Sequence, residues 1–176
     1  LEYKFTVKVY RDCQGSSTWT PNAGLRCASG SGSSSSVSLK LSSIRDLTPI
    51  CKDSVKPCNP LYTGPYKGIE EYTYYVTIDF KEPSYKTLLS CNPSCEIIFE
   101  TGECCRSSTI NTGAANESFY TFAMLNPCII SGNSSPVTST LPAAYLCCNQ
   151  PFYYGMNASD TANSDSLSFA WAHPLK

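Results

Sequence analysis

Along the first ten residues apolar and polar side chains alternate without a break, with Tyr3, Phe5, Val7 and Val9 on one side and Lys4, Thr6, Lys8 and Tyr10 on the other. A period of two belongs to a β-strand with one buried face, so a strand is predicted over residues 1–10. Residues 11–36 then read as an irregular excursion, punctuated by Cys13, Pro21 and Cys27 and ending in a Ser/Gly tract at 29–36. That tract is too polar and repetitive to pack a core and reads as a loop. Alternation returns at 37–41, residues 51–68 are turn-rich, and residues 70–80 form the run richest in aromatic and β-branched side chains, the mark of a central strand. Shorter strands are predicted over 95–100, 119–125, 145–148 and 167–171, separated by Asn-Pro, Gly and Ser-Pro breakers. No twelve-residue window carries a helical stripe. Short strands at this spacing predict a single all-β domain over residues 1–176, a β-sandwich or barrel-like fold with long irregular loops.

Composition narrows the class. Of the 176 residues 41% are hydrophobic and 12% aromatic, enough to bury roughly 70% of the surface of the unfolded chain. Only 15% are charged and the net charge is -1, so there is no basic field to hold nucleic acid or an anionic membrane. Apolar runs are short and interrupted, which argues against insertion into a membrane. No leader peptide is visible, and residue 1 falls inside a strand pattern, so the sequence is expected to begin after processing or after further residues. Eleven cysteines, Cys13, Cys27, Cys51, Cys58, Cys91, Cys95, Cys104, Cys105, Cys128, Cys147 and Cys148, point to an oxidising, extracellular compartment and a disulfide-rich fold. Five bridges and one remaining thiol are the maximum, and with about 10⁴ ways to pair ten of eleven cysteines the connectivity stays open.

Seven landmarks run in order through the chain: YKFTVKVYRDC at 3–13, the pair Cys51 and Cys58, GIEEYTY at 68–74, CCR at 104–106, NSSP at 133–136, LPAAYLCCNQPF at 141–152 and DSLSF at 165–169. Together they resemble a family of large surface proteins of the Bacteroidetes, near the N-terminal ends of chains exported by the gliding-associated route. The resemblance spans the whole chain and implies location and role class rather than chemistry. The chain is also similar to subunits of filaments recovered from environmental samples. It departs from the family pattern at Cys148, where an apolar residue is usual, and at 160–167, where the acidic turn is rewritten.

Modification is the next candidate chemistry. Asn116, Asn133 and Asn157 open Asn-x-Ser sequons in predicted loops. Asp160-Thr161-Ala162 and Asp165-Ser166-Leu167 fit an O-linked signal that the Bacteroidetes resemblance makes relevant, with Thr161 or Ser166 carrying the glycan. The plainer reading of this polar, acidic loop at 157–167 is that its short side chains bond their own backbone in Asx and Ser/Thr turns. A third reading places calcium on Asp160, Asn163 and Asp165, since hard cations take closely spaced oxygens, but the spacing is irregular and no glycine makes a tight turn. Calcium apart, no cofactor is expected. Zinc on Cys91, Cys95, Cys104 and Cys105 is disfavoured against disulfides, because zinc ribbons use two-residue spacers and reduced compartments.

Catalysis finds no footing in this sequence. His173, the one histidine, precedes a proline near the end, no nucleophile is marked by its flanks, and Glu70 and Glu71 are strand neighbours pointing to opposite faces. An enzyme is not expected. Tyr72, Tyr74, Tyr75, Phe152, Tyr153 and Tyr154 suit either cross-strand core pairs or a carbohydrate-stacking platform, the core reading being preferred. The leading expectation is a structural subunit of an extracellular bacterial filament or surface fibre, partnered by copies of itself. In that reading residues 1–10 are a donor strand whose knobs Tyr3, Phe5, Val7 and Val9 enter a neighbour's sheet, although the same strand can equally pair within its own domain. The alternative is an adhesive or carbohydrate-binding domain of a large surface adhesin that grips polysaccharide.

Overall fold

In the computed structural model, described for residues 1–15, 20–30, 34–48, 55–65, 67–90, 95–106, 117–129, 132–141, 149, 151–162 and 164–171, nearly every regular element is a strand. The predicted all-β, disulfide-bonded class is what the structure shows. The chain divides into two compact units, Leu1–Ile129 and Ile130–Lys176.

The first unit is built from two antiparallel sheets. β1 (Glu2–Asp12), β5 (Ile69–Asp79) and β4 (Lys40–Asp46) form one, in the order β1-β5-β4. β3 (Ser34–Val37), β2 (Asn22–Cys27), β6 (Ile97–Glu103) and β7 (Phe119–Leu125) form the other, in the order β3-β2-β6-β7. Register shows how alternation becomes burial: Tyr3 faces Ile78, Phe5 faces Val76, Val7 faces Tyr74 and Val9 faces Tyr72, and directly opposed residues share a face. That face meets Leu25, Val37, Ile97 and Phe99 of the other sheet in one buried cluster, with Phe5 stacked on Phe99 at 4.5 Å between ring centroids. Two sheets sharing one core make a sandwich, which decides between the two architectures expected.

How the sheets align follows from their connections. Only two residues separate β3, at one edge of its sheet, from β4, at one edge of the other, so these edges lie on the same flank. At the far side β1 packs onto β6 through Phe5 and Phe99. β7, the fourth strand of its sheet, touches the shared core only through Leu125.

Several boundaries differ from the sequence reading. Within the presumed excursion at 11–36 lies β2, and the end of the Ser/Gly tract is β3, whose Ser34, Ser35, Ser36 and Val37 pair with Arg26, Leu25, Gly24 and Ala23. Ladder hydrogen bonds to β2 recruit small polar residues that no pattern marks as strand. After β5 the chain makes a short helix α1 (Pro83–Lys86) and a 3-10 turn (Thr87–Ser90) that seats Leu88 in the core. Residues 164–171 contain no strand, unlike the run predicted at 167–171. The run predicted at 145–148 falls outside the described residues.

In the second unit β8 (Val137–Thr138) pairs with β9 (Ala158–Ser159), so a short strand interrupts the loop expected at 157–167. The Ser139 amide and hydroxyl both donate to the Asn157 carbonyl, at 3.1 and 3.2 Å. Asn157 turns into β9 at φ 41°, a left-handed conformation that asparagine tolerates better than most residues.

Candidate functional site: the edges of the sandwich

Disulfides anchor the chain ends of several strands. Cys13, just past β1, is bonded to Cys58 with the Cα atoms 5.4 Å apart, and Cys95, before β6, is bonded to Cys128, after β7, at 5.9 Å. Cys104 and Cys105 are bonded to each other. Cys27 is disulfide-bonded and buried, its partner lying outside the described residues. Cys51, Cys91, Cys147 and Cys148 also lie outside them. Of the four cysteines weighed for zinc, Cys95, Cys104 and Cys105 are in these bonds and Cys91 lies outside the described residues; no group of three or more metal-binding side chains occurs among the described residues. Gly68 shows how tightly the first bridge is packed: a Cβ there would stand 2.5 Å from the Cys58 sulfur and 2.8 Å from that of Cys13. Only glycine fits that approach.

The strand expected to serve as donor, β1, pairs along its length with β5, and Tyr3, Phe5, Val7 and Val9 pack into or against the chain's own core. Its outer face is polar and ion-paired. Glu71, opposite Tyr10 and Arg45 on that face, is nearly enclosed and accepts a hydrogen bond from Tyr10 at 2.8 Å and contacts from Lys8 at 3.3 Å and Arg45 at 3.2 Å. Burial pushes the Glu71 carboxyl upward, but the hydrogen bonds from Tyr10 and Lys8 and the charges of Lys8 and Arg45 outweigh it and hold it below its ordinary value. Lys4 adds a cation–π contact over Tyr75.

Two other edges are apolar. On β4 the inward-facing Leu41 and Ile44 oppose Tyr74 and Tyr72, yet are 50% and 52% exposed. On β7 the exposure extends to both faces. Register with β6 puts Phe119, Thr121, Ala123 and Leu125 on the inner face and Tyr120, Phe122 and Met124 on the outer, and of these only Leu125 is partly buried. Phe119, Tyr120, Phe122 and Met124 are between 37% and 57% exposed. The inner face of β7 reaches the shared core only through Leu125. Tyr120 is held by its hydroxyl, which donates to Glu100 and lies 3.3 Å from Arg26, the Arg26–Glu100 pair itself being 2.7 Å.

The modification candidates lie in two places. Thr161 and Ser166 are exposed, as are Asn157 and Asp165. Asp160 accepts from the Ala162 amide at 3.1 Å, the Asx turn that was the plainer reading of this loop. Asn133 is half-buried, its Oδ1 enclosed with no hydrogen-bond partner. Asn116 and Asn163 fall outside the described residues, as does His173, so the calcium set is seen only in part. The six aromatics divide: Tyr72 and Tyr74 are core and Tyr75 lies on the outer sheet face, whereas Phe152, Tyr153 and Tyr154 are exposed, Tyr153 by 91%. Phe152 and Tyr154 lie 6.1 Å apart, and the Tyr154 hydroxyl donates to the Leu141 carbonyl at 2.9 Å.

Sequence reasoning found β7 as a strand but not as an open edge. The signal available was the absence of any charge from 119 to 125 in a run too apolar for one solvated face. Comparison with models of protein families, with curated proteins and with solved structures finds no match.

Proposed function

We propose that this chain is a structural subunit of an extracellular bacterial filament or surface fibre, assembled from copies of itself by β-strand addition and strengthened by disulfides and by glycans at Thr161 and Ser166. The observation that carries the reading is β7, a seven-residue edge strand with apolar side chains on both exposed faces. Open edges of this kind template pairing with another chain, and soluble monomers ordinarily blunt them with charge, proline or cover. The disulfides suit an oxidising exterior, and no helix among the described residues is long and apolar enough to cross a membrane. The resemblance to Bacteroidetes surface proteins and environmental filaments points the same way. Strand addition here uses an edge left open, because β1 is already committed to its own sheet.

Electron microscopy of the native secreted protein tests the proposal. Continuous fibres with strand density crossing between subunits, and sugar density on Thr161 or Ser166, are expected. Isolated particles under all conditions would overturn it.

A second reading, an adhesive domain that binds polysaccharide, is favoured by the exposed Phe152, Tyr153 and Tyr154, because aromatic faces stack on the apolar faces of sugars. Loss of binding to a surface polysaccharide on Tyr153→Ala would support that reading, and equal retention by both proteins would count against it.

A further inference from the structure

Four strands bound the two sheets of the first unit: β1 and β4 in one, β3 and β7 in the other. Three of them are poor partners for their own copies. β1 carries Lys4 and Lys8, and antiparallel self-pairing centred on Thr6 would set Lys4 of one copy against Lys8 of the other. Like charges directly opposed destabilise a ladder. β4 bears Lys40, Arg45 and Asp46 and is broken by a register shift between Leu41 and Ser43. β3 is four residues long.

β7 differs in each respect. It has seven residues, no charge, no proline and no register shift against β6. Antiparallel pairing with a second copy about Phe122 uses every residue: Phe119 opposes Leu125, Tyr120 opposes Met124, Thr121 opposes Ala123, and Phe122 meets its own counterpart. Each opposed pair is uncharged, and three of the four kinds are apolar or aromatic, the pairs that contribute most across a ladder. Access follows from exposure, since of residues 119–125 only Leu125 is partly buried.

We propose that β7 joins two copies of this chain, antiparallel about a two-fold axis at Phe122, fusing two four-stranded sheets into one of eight strands. The proposal rests on the assembly reading above and specifies its contact. Such an interface is isologous and closes as a dimer, so a fibre is built from these dimers through a second contact elsewhere.

The test uses the full chain with its disulfides intact, its mass followed by light scattering from about 1 to about 100 µM, the range in which micromolar association is read. Phe122→Lys places two like charges at the axis, and because Phe122 is 44% exposed it empties no core. Thr6→Lys puts the same charge on the β1 edge as a control. A dimer is expected for the wild type and for Thr6→Lys, with dissociation at least about tenfold weaker in Phe122→Lys. Should Phe122→Lys fail to fold by circular dichroism, Met124→Lys takes its place. A wild type that stays monomeric throughout, or a lysine variant on β7 that dimerises equally well, overturns the pairing. Electron micrographs of the same samples separate the two ideas: dimers that never form fibres support the pairing and count against the fibre reading. Fibres formed equally well by Phe122→Lys overturn the pairing and leave that reading standing.

Discussion

β1 and β7 are both edge strands, both rich in aromatic and aliphatic side chains, and among the described residues each is paired with one neighbouring strand. β1 has one apolar face, which the opposite sheet covers, and one solvated face bearing lysines and a clamped glutamate. β7 has apolar residues on both faces, and of its seven residues only Leu125 is partly buried. The difference lies in what stands opposite: Tyr3, Phe5, Val7 and Val9 of β1 all pack into or against the shared core, whereas β7 reaches it only through Leu125. Edge exposure in a sandwich is thus decided by how much of the edge reaches the core. The sequence of an edge then shows whether that exposure is guarded by charge, as in β1, or carries no charge, as in β7.

Phe99→Ala strikes the comparison hardest, because Phe99 lies in the covered part of the same sheet, stacked on Phe5. A loss of about 3–5 kcal/mol is expected for a buried phenylalanine, read from urea unfolding followed by near-ultraviolet circular dichroism. A loss below about 1 kcal/mol would mean that β1 and β6 do not share a core.

Next comes the Cys13–Cys58 bridge, which ties the end of β1 across a sequence separation of 45 residues. Replacing both cysteines by serine should cost about 2–4 kcal/mol through the freed unfolded chain. The same replacement should leave β7-dependent association unchanged in the light-scattering assay.

A smaller effect is expected from Glu71→Gln, about 1 kcal/mol at neutral pH, since the Tyr10 hydrogen bond can survive and the Lys8 and Arg45 partners are partly solvent-screened. Its pH dependence is the sharper observable. The folded state holds the Glu71 and Glu100 carboxyls below their ordinary value of 4.5. Their contribution is therefore full above that value and is lost as pH falls through the lower folded values. Urea midpoints of wild type and Glu71→Gln should converge as the pH is taken below 4.5. A gap that stays constant would show that the carboxylate's charge contributes nothing to the clamp.

The smallest change in stability is expected from Phe122→Ala, within about 0.5 kcal/mol for an exposed site, while association weakens. Stability and association moving together would place Phe122 inside a core rather than on an open edge.

Much of the strand map was legible in the sequence. The run at 119–125 and the aromatic run at 70–80 have bounds close to those of β7 and β5, since long alternating or β-branched segments suit few other conformations. β2 and β3 were not legible. Ala23, Leu25 and Cys27 do alternate with Gly24 and Arg26, but the short run lies among Pro21, Cys27 and the Ser/Gly tract and reads as loop; β3 has one apolar residue, Val37, and owes its strand form to ladder bonds from β2. The candidate site was half legible: the exposed positions of Thr161 and Ser166 followed from composition, whereas the edge at β7 required knowing which strands face one another.

What the sequence determined alone was local: the two faces of each strand, the scarcity of helix, the polar loop around Asp160 and the cysteine density of an oxidised protein. The tertiary structure decided which face is covered, which cysteines meet and which edge stays open. The reason is that a period of two names the faces of a strand but not its neighbours. Pairing in a sheet joins residues far apart in the chain, such as Val7 with Tyr74 and Leu25 with Phe99, and nothing in either segment encodes the other's register.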